Sequence, residues 1–227
     1  MNASFDRQYW DDHWQGSAGG AMAAGPPNPH LVREVADLDP GAALDVGCGA
    51  GAEVIWLAGQ GWQVTGIDIA TEALASAVSR VPPHVADRID WVRGDAWTWV
   101  PERQFDLVTT HYAHPTMPQV EFYDRLADWV SPGGTLLIVG HLHHQAAPDS
   151  AGAPGHGHGH EHGRGHGGSD VPGPPPEATV GADEVRSRFD PTRWEVATAE
   201  EVRRVVTRPD GGEHVLDDVV VRVARRA

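Results

Sequence analysis

The stretch "AALDVGCGAG", residues 42–51, decides how this chain is read. A hydrophobic run carries an acid at Asp45, two residues before glycines at 47, 49 and 51. Buried strands avoid a carboxylate unless something pairs with it. Alternating glycines suit a backbone that must turn sharply and approach another group closely. The expectation is a strand over 42–47 that turns through the glycines into a helix, "AEVIWLAGQG".

Outward from that stretch, strand-like and helix-like segments alternate. "QVTGIDI" (63–69), "IDWVRGD" (89–95), "FDLVTTHY" (105–112) and "TLLIVGH" (135–141) read as strands. "TEALASAVSRV", with Thr71 as its N-cap, and "PQVEFYDRLADWV" (118–130), stopped by "SPGG", read as helices. Such alternation implies βαβ units and a parallel sheet. Further on, "ADEVRSRF" (182–189) reads as a short helix. Two long strands, "RWEVATAEEVRRVVT" and "HVLDDVVVRVARR", join through "RPDGG", whose Asp-Gly pair signals a hairpin. The expected fold is α/β: a Rossmann-like, doubly wound, mostly parallel seven-stranded sheet with a C-terminal antiparallel hairpin. Residues 1–227 are expected to form one domain, in which 1–40 cap the carboxyl edge of the sheet and 145–178 form a flexible insertion rich in histidine, glycine and proline.

Composition sets the outer bounds. A chain of 227 residues can bury a full core. Its longest apolar run, around "TLLIVG", is too short to cross a membrane. The start, "MNASFDRQYWDDHW", is acidic and lacks the apolar stretch of a secretory signal, so a cytoplasmic protein is expected. The single cysteine, Cys48, excludes an internal disulfide and a multi-cysteine zinc site. A net charge of −15 argues against a nucleic-acid partner, because phosphate binding needs a basic face.

In open α/β sheets, ligands bind at the carboxyl ends of the strands. Glycines there admit an adenosine-type cofactor, and an acid about 20 residues on, at the end of the next strand, holds its ribose. Asp68 in "TGIDI" stands where that acid belongs. Gly47, Gly49 and Ala52 also satisfy the dinucleotide fingerprint. Asp45 argues against that alternative: a pyrophosphate is repelled by a carboxylate beside it, whereas a sulfonium with an amino-acid tail is attracted.

"LDVGCGAG" resembles the first motif of class I S-adenosylmethionine-dependent methyltransferases. The resemblance covers residues 40–142 and 180–225. It implies S-adenosylmethionine as cofactor, its methionine part on Asp45, Gly47, Cys48, Gly49 and Gly51. It implies the ribose on Asp68 and Ile69, and the adenine beside Asp95 and Ala96 of "RGDAW". Trp14 and His111 complete the implied cofactor set.

The arm "YWDDHW" places Trp10 and Trp14 one helical turn apart. It is similar to the entry segment of thiopurine and other thiol S-methyltransferases, and more loosely to tellurite-resistance methyltransferases. On that resemblance Trp10 and Trp14 wall the acceptor pocket with Tyr9 beside them; His114 and His141 follow expected strands at the same edge and are candidates to line it. The partner implied is a small thiol, with detoxification as the implied setting, and a thiolate needs little help from a base. An oxygen or nitrogen acceptor is the alternative. His111 is the candidate catalytic base, because it follows a strand at the active edge and an imidazole titrates near neutrality.

The segment "GHGHGHEHGRGH" (155–166) raises a different function. His156, His158, His160 and His162 form a candidate weak site for a borderline transition metal, which would make this a metal-handling protein. A solvated linker of biased composition is the plainer reading.

Overall fold

The computed structural model describes residues 5–15, 25–142, 176–207 and 212–227. Five parallel strands form its centre: β1 (Ala42–Val46), β2 (Gln63–Asp68), β3 (Ile89–Arg93), β4 (Phe105–His111) and β5 (Val130–Leu142). A two-residue β6 (Thr179–Val180) runs parallel beside β5. The antiparallel strands β7 (Trp194–Thr207) and β8 (Glu213–Arg225) complete the order β3-β2-β1-β4-β5-β8-β7. Seven strands thus lie on one path, as expected, and β6 is an eighth beside it. The winding reverses where β1 lies between β2 and β4, which opens a crevice at their carboxyl ends.

The central strands are apolar on both sides because helices cover both sides. Neighbouring residues alternate between two cores. Leu44, Val108, Leu136 and Ile138 meet α5 (Gln119–Asp128) through Phe122 and Leu126, and α6 (Ala182–Arg186) through Val185. Ala43, Leu107, Leu137 and Val139 meet α2 (Pro29–Glu34) through Leu31. They also meet α3 (Ala52–Gly59) through Val54 and Leu57, and α4 (Thr71–Arg80) through Leu74. Truncating any of the fully buried leucines to alanine costs about 2–5 kcal/mol.

The N-terminal segments are held by long-range contacts. The helix α1 (Arg7–Gln15) buries none of its own residues, although Phe5 just before it is buried. Asn28 caps α2 by accepting the His30 amide at 2.9 Å. Glu34 accepts the Thr198 hydroxyl at 2.8 Å, and Arg33 pairs with Glu200, which ties α2 to the hairpin.

Three local expectations are corrected. Thr71 is not an N-cap: Ala70 holds that position, and the Thr71 amide donates to Asp11 Oδ1 of α1 at 3.0 Å. The strand expected at 135 begins at Val130, because Val130 already pairs with Phe105 of β4 and "SPGG" is an irregularity between that pair and Leu107–Thr135. Ala178, expected inside the insertion, is buried and leads into β6. Residues 145–175 of the insertion and 208–211 of the "RPDGG" turn lie outside the described residues. Among those described, no helix is long and apolar enough to cross a membrane, and no group of three or more metal-ligating side chains is assembled. His156, His158, His160 and His162 also lie outside them.

Candidate active site

At the carboxyl end of β1 the chain turns through three glycines, all with positive φ: 75° at Gly47, 52° at Gly49 and 75° at Gly51. The Gly47 and Cys48 amides both donate to the Ile67 carbonyl, at 2.9 and 3.1 Å, which folds the loop onto β2. A Cβ at Gly47 would lie 2.6 Å from Ala113, and one at Gly51 would lie 2.4 Å from the Trp91 ring. Glycine is therefore required twice over, by backbone conformation and by space.

Asp68 closes the loop from the other side. Its Oδ2 accepts the Gly49 amide and its Oδ1 the Ala70 amide, both at 2.8 Å. Burial pushes its carboxyl up, only partly offset by those amides. The ring of Trp14 lies across the loop, its Cζ2 3.0 Å from where a Cβ at Gly49 would stand.

The acid that opened the sequence question is indeed paired. Asp45 is buried and accepts the Thr109 hydroxyl at 2.8 Å. His111 Nδ1 approaches the same oxygen at 3.4 Å, an ion-pair contact rather than a formed hydrogen bond. Both ring nitrogens of His111 are buried without a hydrogen-bond partner among the described residues. Burial works against its protonated form, but the facing Asp45 and the charge of Glu53 outweigh it and raise its pKa. Glu53, in the first turn of α3, accepts the Asn28 amide at 3.0 Å, and burial pushes its carboxyl up. Burial, with Asp68, Asp45 and Glu53 around it, lifts the Cys48 thiol well above its ordinary value. Cys48 is a neutral, inert thiol.

A second cluster lies where β4 and β5 end. The His114 ring packs against Phe5 at 5.3 Å, Trp10 at 5.9 Å and His141 at 5.3 Å. His141 lies 4.7 Å from the Tyr112 ring. Burial, then the neighbouring His141 and His13, depress the His114 pKa to about 4, so the ring is neutral at pH 7. His141 is lowered for the same primary reason. Trp10 and Trp14 thus reach two different places from one helix face. Tyr9 sits at the rim, edge-on to Phe5 and Trp10.

Of the residues expected beside the adenine, Asp95 is half-buried and its Oδ1 accepts the Trp97 amide at 2.8 Å. Ala96 offers its carbonyl to Arg125 at 2.6 Å, and Ile69 is half-buried beside Asp68.

Sequence reading missed a further polar centre. Asp218, fully buried on β8, accepts from His30 Nε2 at 3.0 Å, from the Tyr112 hydroxyl at 2.8 Å and from Arg204. Arg204 also donates to the Tyr112 hydroxyl at 2.8 Å. Tyr112 is held at φ 53°, the only non-glycine with positive φ among the described residues. The available signal was an acid inside "DDVVVRV", the same anomaly as Asp45.

Residues 43–134 match a family model described as a methyltransferase domain. Over those residues the chain is similar to the class I S-adenosylmethionine-dependent methyltransferases. S-adenosylmethionine is the cofactor of this family. A trans-aconitate 2-methyltransferase of Streptomyces avermitilis is 34% identical over 125 residues, 48% of this chain and 45% of the relative. A probable thiol methyltransferase 2 of Arabidopsis thaliana is 30% identical over 138 residues, 57% of this chain and 60% of the relative. The chain spans about half the length of these two relatives. Among solved structures, a protein described in the conversion of a disulfide bond into a thioacetal group during echinomycin biosynthesis superposes with TM-score 0.66 at 20% identity, covering 97% of this chain and 91% of that one. TehB of Haemophilus influenzae superposes with TM-score 0.60 at 16% identity, covering 97% and 67%. At these identities the likeness is one of fold.

Proposed function

We propose that this protein methylates a small, uncharged acceptor, with a thiol favoured, using S-adenosylmethionine. The observation that carries the reading is the glycine loop closed by Asp68 and surrounded by Asp45 and Glu53. This donor set suits a cation with ribose hydroxyls and opposes a pyrophosphate. Gly47, Gly49 and Asp45 would hold the amino-acid end, Asp68 and Ile69 the ribose, and Asp95 and Ala96 the adenine. Bound there, the cofactor supplies an electrophilic methyl group. The chain supplies position, which in a bimolecular displacement is much of the acceleration.

Trp14 covers the loop and excludes water from it. Trp10 and Tyr9 wall the acceptor side. His114 Nε2 is buried, neutral and without a partner among the described residues, so it is an acceptor for an S–H or O–H proton. Its low basicity suits a nucleophile that ionises by itself, and a thiol does so near neutrality. The relatives named for trans-aconitate favour a second reading, a carboxylate acceptor. Against it, Arg204, which reaches the Tyr112 hydroxyl at this end of the sheet, is committed to Asp218 and Tyr112.

The test is methyl transfer from S-adenosylmethionine to matched thiols, phenols, amines and carboxylic acids, trans-aconitate included. Thiols are expected to react fastest, with a rate that rises through the thiol pKa. Transfer to carboxylates and none to thiols overturns the acceptor assignment. Asp68→Ala removes charge-assisted hydrogen bonds worth about 1.5–3 kcal/mol each, so cofactor affinity is expected to fall at least tenfold by calorimetry. Trp14→Ala is expected to raise the cofactor Kd, and Trp10→Ala the acceptor KM.

A further inference from the structure

His111 was expected to be a base, yet its surroundings suit a different task. Its side chain is only 6% exposed, faces Asp45 across 3.4 Å and has no hydrogen-bond partner among the described residues for either ring nitrogen. A catalytic base needs a proton donor within reach and a ring that is neutral at working pH. His111 instead sits among acids. Asp45 from β1 and Glu53 from α3 face it, Cys48 and Asp68 stand around the same loop, and its neighbour Tyr112 is held neutral, its pKa pushed up to about 12 by burial and by Asp218. A buried carboxylate needs a counter-charge. In the cofactor-free protein the group placed to provide one to Asp45 and Glu53 is the His111 ring.

We propose that His111 is the electrostatic stand-in for the cofactor: its imidazolium is the counter-charge facing Asp45, with Glu53 nearby, in the free protein, and arrival of a cationic ligand drives its proton into solvent. This rests on the reading of the glycine loop as the S-adenosylmethionine site. The N–H bond of the imidazolium breaks, its electron pair stays on the ring, and water or buffer takes the proton. No other bond changes. Without this release, the ammonium and sulfonium would enter beside a fixed positive charge. With it, the net charge of the pocket changes by less than the charge of the ligand. The ring then remains as a neutral partner beside Asp45.

The sign of the pH dependence follows. The ligand prefers the deprotonated ring, so affinity tightens as pH rises, up to the raised pKa of the free protein, and levels off above it. Between the bound-state and free-state values the limiting slope is tenfold in Kd per pH unit. Glu53 and Asp68, whose carboxyls burial pushes up, add proton release of the same sign at lower pH. The discriminating signal is therefore proton release above the carboxylate range, where the imidazole is the group that titrates.

The experiment is calorimetric titration of the full chain with S-adenosylmethionine at pH 7, in buffers of different ionisation enthalpy. The expected result is net release of protons on binding, with Kd tightening as pH is raised through neutrality. His111→Gln, which keeps a polar side chain of similar reach but no titratable charge, is expected to lose that release and flatten the profile. Glu53→Gln tests the opposite side: removing one of the two facing acids should reduce the release at pH 7. Binding by the wild type with no proton exchanged at pH 7, or undiminished release in His111→Gln, overturns the proposal and leaves the cofactor site standing. If His111→Gln does not fold, the wild-type proton count decides alone. No binding heat at all overturns the underlying reading of the site.

Discussion

Two buried aspartates, Asp45 and Asp218, sit near the same end of the sheet and are treated in opposite ways. Asp218 has three donors aimed at it, from His30, Tyr112 and Arg204. Burial opposes its ionisation, but those hydrogen bonds outweigh burial and hold its carboxyl below the usual range. Among the described residues Asp45 has one formed hydrogen bond, from Thr109, and a histidine standing off at 3.4 Å whose nitrogens have no hydrogen-bond partner. A fully satisfied buried acid fixes structure. An under-satisfied one beside a glycine loop holds capacity for a ligand. Asp218 pins α2, the end of β4 and the hairpin together, and keeps Tyr112 in its strained conformation facing His141. Asp45 leaves its charge available.

The largest expected effect breaks the satisfied centre. Asp218→Ala leaves the Arg204 cation and the Tyr112 hydroxyl without their acceptor, and loss of one partner of a buried pair costs about 3–5 kcal/mol. Denaturant unfolding checks this; a loss near zero would make the two aspartates equivalent. The pH dependence has a definite sign. The folded carboxyl is more acidic than the unfolded one, so its contribution is present above the ordinary aspartate pKa and is lost as pH falls through the depressed folded value. Acid titration of wild type against Asp218→Asn should show the variant missing that step.

A smaller effect is expected at Asp45, and it is of another kind. Asp45→Asn can keep an oxygen for the Thr109 hydroxyl, so stability should change by about 1 kcal/mol or less. Cofactor affinity, by contrast, should fall about tenfold, corresponding to the loss of one charge-assisted contact. Paired melting and calorimetry measure both. Loss of stability without loss of affinity would show that Asp45 is structural after all.

The smallest effect sharpens the comparison by adjacency. Asp217, one residue before Asp218, pairs with Arg203 at 2.7 Å, but the Arg203 side chain is 71% exposed. Arg203→Ala should leave the melting curve and the cofactor Kd unchanged, because an exposed pair exchanges solvent for partner with little net gain. A clear destabilisation would mean that ion pairing, rather than burial, sets the cost at Asp218.

What the sequence determined by itself was local in origin. Glycines at 47, 49 and 51 announce a turn because side chains rarely adopt positive φ. Apolar runs of strand length between amphipathic helices announce a doubly wound sheet. Trp10 and Trp14 announce one helical face. Each depends on residues a few positions apart, and each is present in the fold. The tertiary structure decided the rest because its causes are distant in sequence. Asp218 meets His30 across 188 positions, Thr71 is capped by Asp11 across 60, and Glu53 receives the Asn28 amide across 25. No local pattern encodes such pairs: a buried acid shows in the sequence as an anomaly, and only the packed sheet brings in the partner that accounts for it.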